Sequence, residues 1–212
     1  MQDISLADQS ANRIRELILA NKLSPGAHIN IDALAKEFNI SQTPIREALK
    51  KLIAEGFVVY KAKIGYSVRN LSLHEYLQVM EIIQVIEVYL VRELAKTNAL
   101  VNIKELRGIN ERLRASLKAG DMVAIGRIND EFHSKLYENY PNKFMINRFK
   151  DTCNEVVSLR NFMYKNQIFT NRLIQEHEAI IEAIESGDAE RAENAMTEHY
   201  LSGRESAIRT FP

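Results

Sequence analysis

The chain has 212 residues, of which 46% are hydrophobic and 26% charged, with 8 glycines and 4 prolines. This composition suits a helix-rich protein with one large or two modest domains. No apolar run approaches the roughly 18 residues that span a bilayer, so no membrane partner is expected. The single cysteine, Cys153, cannot form an internal disulfide, which favours a reducing, cytoplasmic location.

The charge is distributed unevenly along the chain. With 28 basic and 28 acidic residues the formal net charge is zero, which by itself argues against a nucleic-acid partner. Residues 1–70, however, contain 10 Lys and Arg against 7 Asp and Glu, whereas residues 71–212 contain 18 against 21. A basic first part followed by an acidic second part is typical of a DNA-binding head on a body that does not bind DNA.

The first part of the chain predicts three short helices and a β-hairpin. Pro25-Gly26 separates the first two helices, and Asn39 is expected to end the second in a left-handed conformation. Ser41 is a favourable N-cap for the third helix, and Pro44 suits its first turn. The helices are predicted over residues 7–20, 31–38 and 42–55, and the hairpin over 57–70. This order indicates a winged helix-turn-helix.

The rest of the chain carries helical patterns only. Apolar stripes of helical period cover residues 73–97, 102–119, 121–140, 143–165, 169–186 and 188–209. Helices of this number and length form an antiparallel bundle. We therefore predict a mainly α fold with a winged helix-turn-helix and small β-hairpin wing over 1–70, a linker over 71–74, and an antiparallel bundle of six to seven helices over 75–212.

The start of the third predicted helix has the chemistry of a recognition helix, whose N-terminus needs hydroxyls and hydrogen-bond donors for phosphates and base edges. Arg46 lies one turn inside this helix, where its guanidinium can reach a guanine or a phosphate. Gly65, at the hairpin tip, would let the wing backbone approach DNA closely. The candidate DNA-binding residues are Ser41, Gln42, Thr43, Arg46, Lys50 and Gly65. An ordinary helix start with a solvated arginine is the alternative for each residue alone.

The segment PGAHINIDALAKEFNISQTPIREALKKLIAEGFV resembles the GntR-family winged helix, whose signature includes PG, then S-R-T-P-V-R-E-A-L-x-x-L-x-x-E-G. The resemblance covers about residues 8–70 and implies binding to double-stranded DNA. The family usually has arginine where this chain has Gln42, so we expect a shifted operator preference. We also expect a homodimer on an inverted-repeat operator.

Three of the five histidines fall on apolar stripes of the helical part. His177 and His199 lie ten and eleven residues from the turn at 187–188, so an antiparallel hairpin would place them at nearly the same level. His133 can add a third imidazole from another helix, with Asn129 one turn before it. Three imidazoles with an oxygen donor suit a divalent metal such as Zn²⁺ or Ni²⁺. A hydrogen-bonded core histidine is the alternative for each residue alone.

The helical part also resembles the FCD effector domain of the FadR subfamily of GntR regulators. Its signature has [D/N]-x-x-x-H on one helix and E-H-x-x-I-x-x-A-I-x-x-G-D before a third histidine, over roughly residues 75–205. In that family an Asp and three His hold a metal, and an organic carboxylate commonly binds beside it. The resemblance therefore implies a small organic acid effector and the ligands Asn129, His133, His177 and His199.

Two residues depart from the FCD pattern. Asn129 replaces the carboxylate, which predicts weaker metal retention, and Asp130 is the acid that could substitute for it. Ile83 occupies the place of an arginine that often points toward the pocket, which leaves Arg160 as the candidate effector-binding cation. Asn129 is a second candidate effector contact.

Two other functions stay open at this stage. One is a metal-dependent enzyme with an appended winged helix, in which the histidines would activate water. Against it, no general-base motif accompanies the histidines, since Glu176 and Glu178 are interpreted as helix-surface acids. The other is a metal-free architectural DNA-binding protein. We favour a regulator in which the effector shifts the bundle against the linker and changes the spacing of two recognition helices.

Overall fold

The computed structural model describes residues 5–97, 100–164 and 171–211. These residues form helices and one antiparallel two-stranded sheet, which confirms the mainly α fold. The elements are α1 Leu6–Leu19, α2 Ile31–Phe38, α3 Gln42–Ala54, β1 Val58–Lys61, β2 Gly65–Val68, α4 Leu73–Lys96, α5 Ile103–Ala119, α6 Met122–Leu136, α7 Lys143–Tyr164, α8 Asn171–Glu185 and α9 Ala189–Thr210. The predicted start of α8 at residue 169 and the predicted end of α7 at residue 165 lie outside the described residues.

The chain divides into two compact units. The first contains the described residues up to Ser72 together with Asp151–Phe162. The second contains Leu73–Lys150 and the described residues from Met163 onward. Helix α7 therefore contributes to both units, and α4 begins at Leu73, inside the segment predicted as a linker. The division into domains at 71–74 remains a prediction.

The first unit is a winged helix-turn-helix built around α3. Asn39 ends α2 with φ 56° and ψ 47°, the left-handed conformation expected there, and the chain then turns directly into α3. Val58 pairs with Val68 and Lys61 with Gly65 in the wing. The buried core takes side chains from every element of this unit, and its fully buried members include Ile14, Ile18, Ile45, Leu49, Leu52 and Val58.

The second unit is an all-helical bundle in which α8 and α9 form an antiparallel hairpin. Gly187 has φ 73°, a left-handed conformation that lets α8 end abruptly. The side chain of Asp188 then caps α9 by accepting a hydrogen bond from the backbone N–H of Arg191. No helix among the described residues combines the length and the apolar character needed to cross a membrane.

Leu49 tests the core of the first unit, because it is fully buried on α3 beside the exposed Lys50. We expect Leu49→Ala to lower the free energy of unfolding by about 2–5 kcal/mol, since it removes buried methyl groups and leaves a cavity. The control Lys50→Ala should change it by less than about 0.5 kcal/mol. Urea unfolding followed by circular dichroism measures both. Equal effects of the two substitutions would show that α3 does not pack through this face.

Candidate nucleic-acid interface and metal centre

Helix α3 buries one face and exposes the other. Ile45, Ala48 and Leu49 are fully buried against the unit's core. The predicted DNA-binding residues of this helix and its N-cap are all exposed: Ser41, Gln42, Thr43, Arg46 and Lys50. Because residues four apart share a helix face, the helix presents one continuous polar stripe to solvent.

The first turn of α3 is suited to an anion. Ser41 holds the N-cap position with extended backbone, but its side chain makes no capping hydrogen bond. Its hydroxyl and the first backbone N–H groups of the helix are therefore available to a phosphate oxygen. Ser41 is therefore the N-cap residue of α3, as predicted, but it does not make the side-chain hydrogen bond that an N-cap usually makes.

Gln42 lies in a small hydrogen-bonded network. Its side-chain N–H donates to Asp32 of α2, and its Oε1 accepts a hydrogen bond of 3.2 Å from Nη2 of Arg46. These two bonds orient the Gln42 amide and direct Arg46 along the exposed face. Asp32 was not among the predicted site residues, because its contact with Gln42 crosses the turn between α2 and α3.

The wing places further cations in solvent. Lys61 ends β1 and Lys63 lies in the turn that follows; both are exposed, and Lys63 has φ 69°. Gly65 has φ 95°, and a Cβ there would lie 3.2 Å from Cε1 of His28. Glycine at this position is therefore required by the fold itself, whereas the two lysines are the stronger candidates for a phosphate contact. The sequence Lys61-Ala62-Lys63 in the predicted turn was the pattern that could have indicated these two contacts.

The three predicted histidines converge in the second unit. His133 of α6, His177 of α8 and His199 of α9 each offer one ring nitrogen within 4.8 Å of the other two. Their ring centroids are 5.7 Å apart for His133 and His177, 5.3 Å for His133 and His199, and 5.2 Å for His177 and His199. Since zinc–imidazole bonds are about 2.0–2.1 Å, small side-chain movements would bring all three nitrogens to one ion.

His177 shows that the cluster fits a metal. It is fully buried, and its ring stacks on Phe132 with centroids 3.8 Å apart and planes 3° apart. Neither ring nitrogen has a hydrogen-bond partner among the described residues. Burial, together with the neighbouring His199 and His133, holds the pKa of His177 well below its usual value, so the ring is neutral and carries a free lone pair. A buried neutral imidazole without a partner has the properties of a ligand.

The other two histidines are backed by carboxylates. Nδ1 of His133 is 2.9 Å from Oε1 of Glu87, whose Oε2 accepts a hydrogen bond from the Tyr200 hydroxyl. Nδ1 of His199 is 3.0 Å from Oε2 of Glu176. The interpretation of Glu176 as a helix-surface acid is wrong, because the packing of α9 on α8 covers most of its side chain, which is 13% exposed.

Both carboxylates are tuned by these contacts. Burial of Glu87 raises its pKa, but the attraction of His133 in its protonated form and the hydrogen bonds from His133 and Tyr200 outweigh it, so the pKa lies below the usual value. Burial also raises the pKa of Glu176, but the hydrogen bond from His199 and the attraction of that ring in its protonated form lower the pKa below its usual value. No local pattern indicates Glu87 as a histidine partner, since Glu87 and His133 lie on different helices and 46 positions apart.

The remaining predicted residues are placed as follows. Asn129 is buried on α6, one turn before His133. The group of metal-compatible side chains among the described residues consists of the three histidines and does not include Asp130. Ile83 is buried on α4. Arg160 lies in the part of α7 that belongs to the first unit, so its role at an effector site remains a prediction.

Comparison with known families identifies both units. Residues 6–68 match the model described as "Bacterial regulatory proteins, gntR family", and residues 78–202 match the FCD domain. The chain belongs to the GntR family and carries an FCD domain. It is therefore a DNA-binding transcription regulator whose FCD domain binds a small-molecule effector, and the alternative of a metal-dependent enzyme is not supported.

Relatives and solved structures agree with this family. The chain is 27% identical over 193 residues to the "Probable D-xylose utilization operon transcriptional repressor" of Paenarthrobacter nicotinovorans, covering 89% of this chain and 84% of that protein. It is 27% identical over 206 residues to the transcriptional regulator LutR of Bacillus subtilis, covering 86% and 92%. The structure of E. coli McbR/YncC has the same fold, with a TM-score of 0.84, 20% identity, and coverage of 99% and 100%.

Arg46 and Gln42 can be tested on an operator selected from randomised DNA with the wild-type protein. We expect Arg46→Ala to weaken binding to that operator by about 1–3 kcal/mol, because it removes an exposed guanidinium that can contact a base or phosphate. Lys104→Ala, which removes one exposed charge from α5, is the control and should bind normally. Near-normal binding by the Arg46 variant would exclude α3 as the recognition helix.

Gln42→Arg should select a different half-site. The substitution replaces the amide oriented by Asp32 with a guanidinium, which favours guanine over adenine. Randomised-site selection with each protein measures the preference at every base. Identical preferences would mean that position 42 contacts the DNA backbone only.

Proposed function

We propose that this GntR regulator is a homodimer that binds an inverted-repeat operator and responds to a small organic acid held beside a divalent metal. The observation that carries the proposal is the convergence of His133, His177 and His199, with both nitrogens of His177 buried and without a hydrogen-bond partner among the described residues. The wing, the N-terminus of α3 and its exposed stripe supply the DNA-binding part. As a regulator that must reach chromosomal DNA, the protein acts in the cytoplasm.

The DNA-binding residues divide by role. Ser41 and Thr43, at the start of α3, and Lys50 are suited to phosphates, which fix the position of the helix. Gln42 and Arg46 are suited to base edges, because amide and guanidinium groups can each make two hydrogen bonds to a base. Gly65 shapes the wing. The exposed cations predict a strong salt dependence, since bound phosphates release their counterions.

The proposed dimer uses an exposed face of α4. Ile82, Val85 and Tyr89 are 53%, 66% and 47% exposed, and their spacing of three and four residues places them on one side of the helix. An inverted repeat needs two recognition helices and one chain supplies one, so a second copy of this chain is the occupant that the operator requires.

The metal site would use His133, His177 and His199 as ligands, with Asn129 near or among them. Zn²⁺ and Ni²⁺ are the ions best suited to several imidazoles and few charged ligands. When bound, such an ion would supply a Lewis-acidic centre for the oxygens of a carboxylate. Ile83 offers no charge to an anionic effector, which leaves Asn129 and Arg160 as candidate polar contacts.

The proposed response is a change in operator affinity. The ligands come from α6, α8 and α9, and Glu87 of α4 contacts one of them, so effector binding acts on four helices at once. Helix α4 follows directly on the first unit, and α7 belongs to both units. A shift of these helices would alter the spacing of the recognition helices and change the operator affinity by about 1–3 kcal/mol.

Metal content tests the centre directly. After incubation with Zn²⁺ or Ni²⁺ and gel filtration, the wild-type protein should retain about one ion per chain, because three neutral imidazoles converge there. The variant His177→Ala/His199→Ala should retain none, and the control His74→Ala, at the exposed start of α4, should match the wild type.

Operator binding is then measured with a panel of organic acids. Equal metal content in the wild type and the double variant, or none in either, would leave a metal-free effector pocket or an architectural protein.

The dimer face is tested at Val85, the most exposed of the three apolar side chains. Val85→Glu places a charge in the proposed interface and should give a monomer with weak operator binding, because two half-sites can no longer be bound together. Gln175→Glu adds the same charge at an exposed position of α8 and should remain a dimer. Sedimentation velocity measures both. A dimer formed by the Val85 variant would exclude this face of α4.

A further inference from the structure

The three histidines of the cluster are held in two different ways. His177 is fixed by stacking on Phe132 and makes no hydrogen bond within the described part of the chain. His133 and His199 instead each direct Nδ1 at a glutamate, at 2.9 Å from Glu87 and 3.0 Å from Glu176. The two glutamates come from different helices, α4 and α8, and each addresses a single histidine. A histidine whose Nδ1 faces a glutamate therefore occurs twice in the cluster, with the glutamate on a different helix each time.

The contacts define which ring nitrogen is available. One oxygen of Glu87 accepts a hydrogen bond from the Tyr200 hydroxyl and the other lies 2.9 Å from Nδ1 of His133, and an ionised glutamate can only accept. A carboxylate has no hydrogen to donate, so the hydrogen in its contact with His133 belongs to Nδ1. A neutral imidazole with hydrogen on Nδ1 carries its lone pair on Nε2. The same reasoning applies to His199 and Glu176.

The glutamates also change the charge of the centre. The predicted ligands are three neutral imidazoles and neutral Asn129, which by themselves give a divalent ion no negative charge. Glu87 is 1% exposed and Glu176 is 13% exposed on its side chain, so water screens their charges only weakly. A negative charge therefore lies directly behind each of two ligands, and that of Glu176 is shared with the exposed Arg172, whose Nε lies 2.9 Å from Oε1 of Glu176.

We propose that Glu87 and Glu176 are positioning residues of the metal centre, each holding its histidine as the Nδ1–H tautomer with Nε2 as the metal ligand. Together they supply the negative charge that Asn129 does not. This inference rests on the proposed metal site and extends it to the groups behind the ligands. Groups of this kind typically change metal affinity by about 10- to 100-fold when they are replaced.

The experiment uses Glu87→Gln and Glu176→Gln, which keep the shape of each side chain and remove its charge. Glu178→Gln is the matched control, because Glu178 flanks His177 on the other side and bonds Arg107 and Asn110 instead of a histidine. Zinc affinity is measured on the full-length proteins by competition with a chromophoric chelator. Long-range ¹H–¹⁵N spectra of the metal-free proteins report the tautomer of each histidine.

We expect each test variant to bind zinc about 10- to 100-fold more weakly, with the control unchanged. In the spectra, His133 and His199 of the wild type should carry hydrogen on Nδ1, and the histidine facing each replaced glutamate should lose this preference. Glu176 is less deeply buried than Glu87, so Glu176→Gln is expected to disturb folding less. If Glu87→Gln fails to fold, Glu176→Gln still tests the inference. Unchanged affinity in a folded variant would overturn the inference and leave the metal site intact. A wild-type protein that binds no zinc would overturn the metal site itself, and this inference with it.

Discussion

Burial of the neutral His177 imidazole, which has no hydrogen-bond partner among the described residues, is the constraint around which the helical unit is organised. Leaving a buried polar group unsatisfied costs about 1–3 kcal/mol, so His177 is a local loss of stability that the rest of the core must offset. Stacking on Phe132, the edge-on ring of His133 and the tilted ring of His199 hold His177 in place without giving its nitrogens a hydrogen bond. A ligand that accepts the lone pair would remove the penalty, which couples ligand binding to the stability of the bundle.

The fold supplies this arrangement through one short turn. Gly187 ends α8 in a left-handed conformation and Asp188 caps α9 immediately afterwards, so the two helices reverse direction with little intervening chain. This brings His177 and His199 to the same level, and the same packing covers Glu176. Helix α6 then contributes His133, and α4 contributes Glu87. A site with parts from four helices can respond to a ligand by moving each helix slightly against the others.

Residues near each other in the sequence were predictable, and contacts between distant helices were not. Counting from the turn at 187–188 places His177 beside His199, and the left-handed Asn39 follows from its position at the end of α2. The depth of Glu176 depends on α9, and helical period alone could not distinguish it from the exposed acids of the same helix. The Glu87–His133 contact joins residues 46 positions apart, and no local pattern indicates it. The Asp32–Gln42 bond spans only ten positions, but it too depends on how two helices pack, here α2 and α3 across their turn.

The two departures from the FCD pattern balance each other. On the proposed function, Asn129 in place of the usual carboxylate removes one negative charge and Ile83 in place of the arginine removes one positive charge, so these two positions together carry the same net charge as in the family pattern. What changes is the means of holding an anion. A guanidinium binds a carboxylate by two parallel hydrogen bonds, and isoleucine offers none. On the proposed function, an organic acid in this protein is therefore held by the metal centre together with Asn129 and Arg160. Glu87 and Glu176 gain importance for that reason, because they support the histidines on which effector binding then depends.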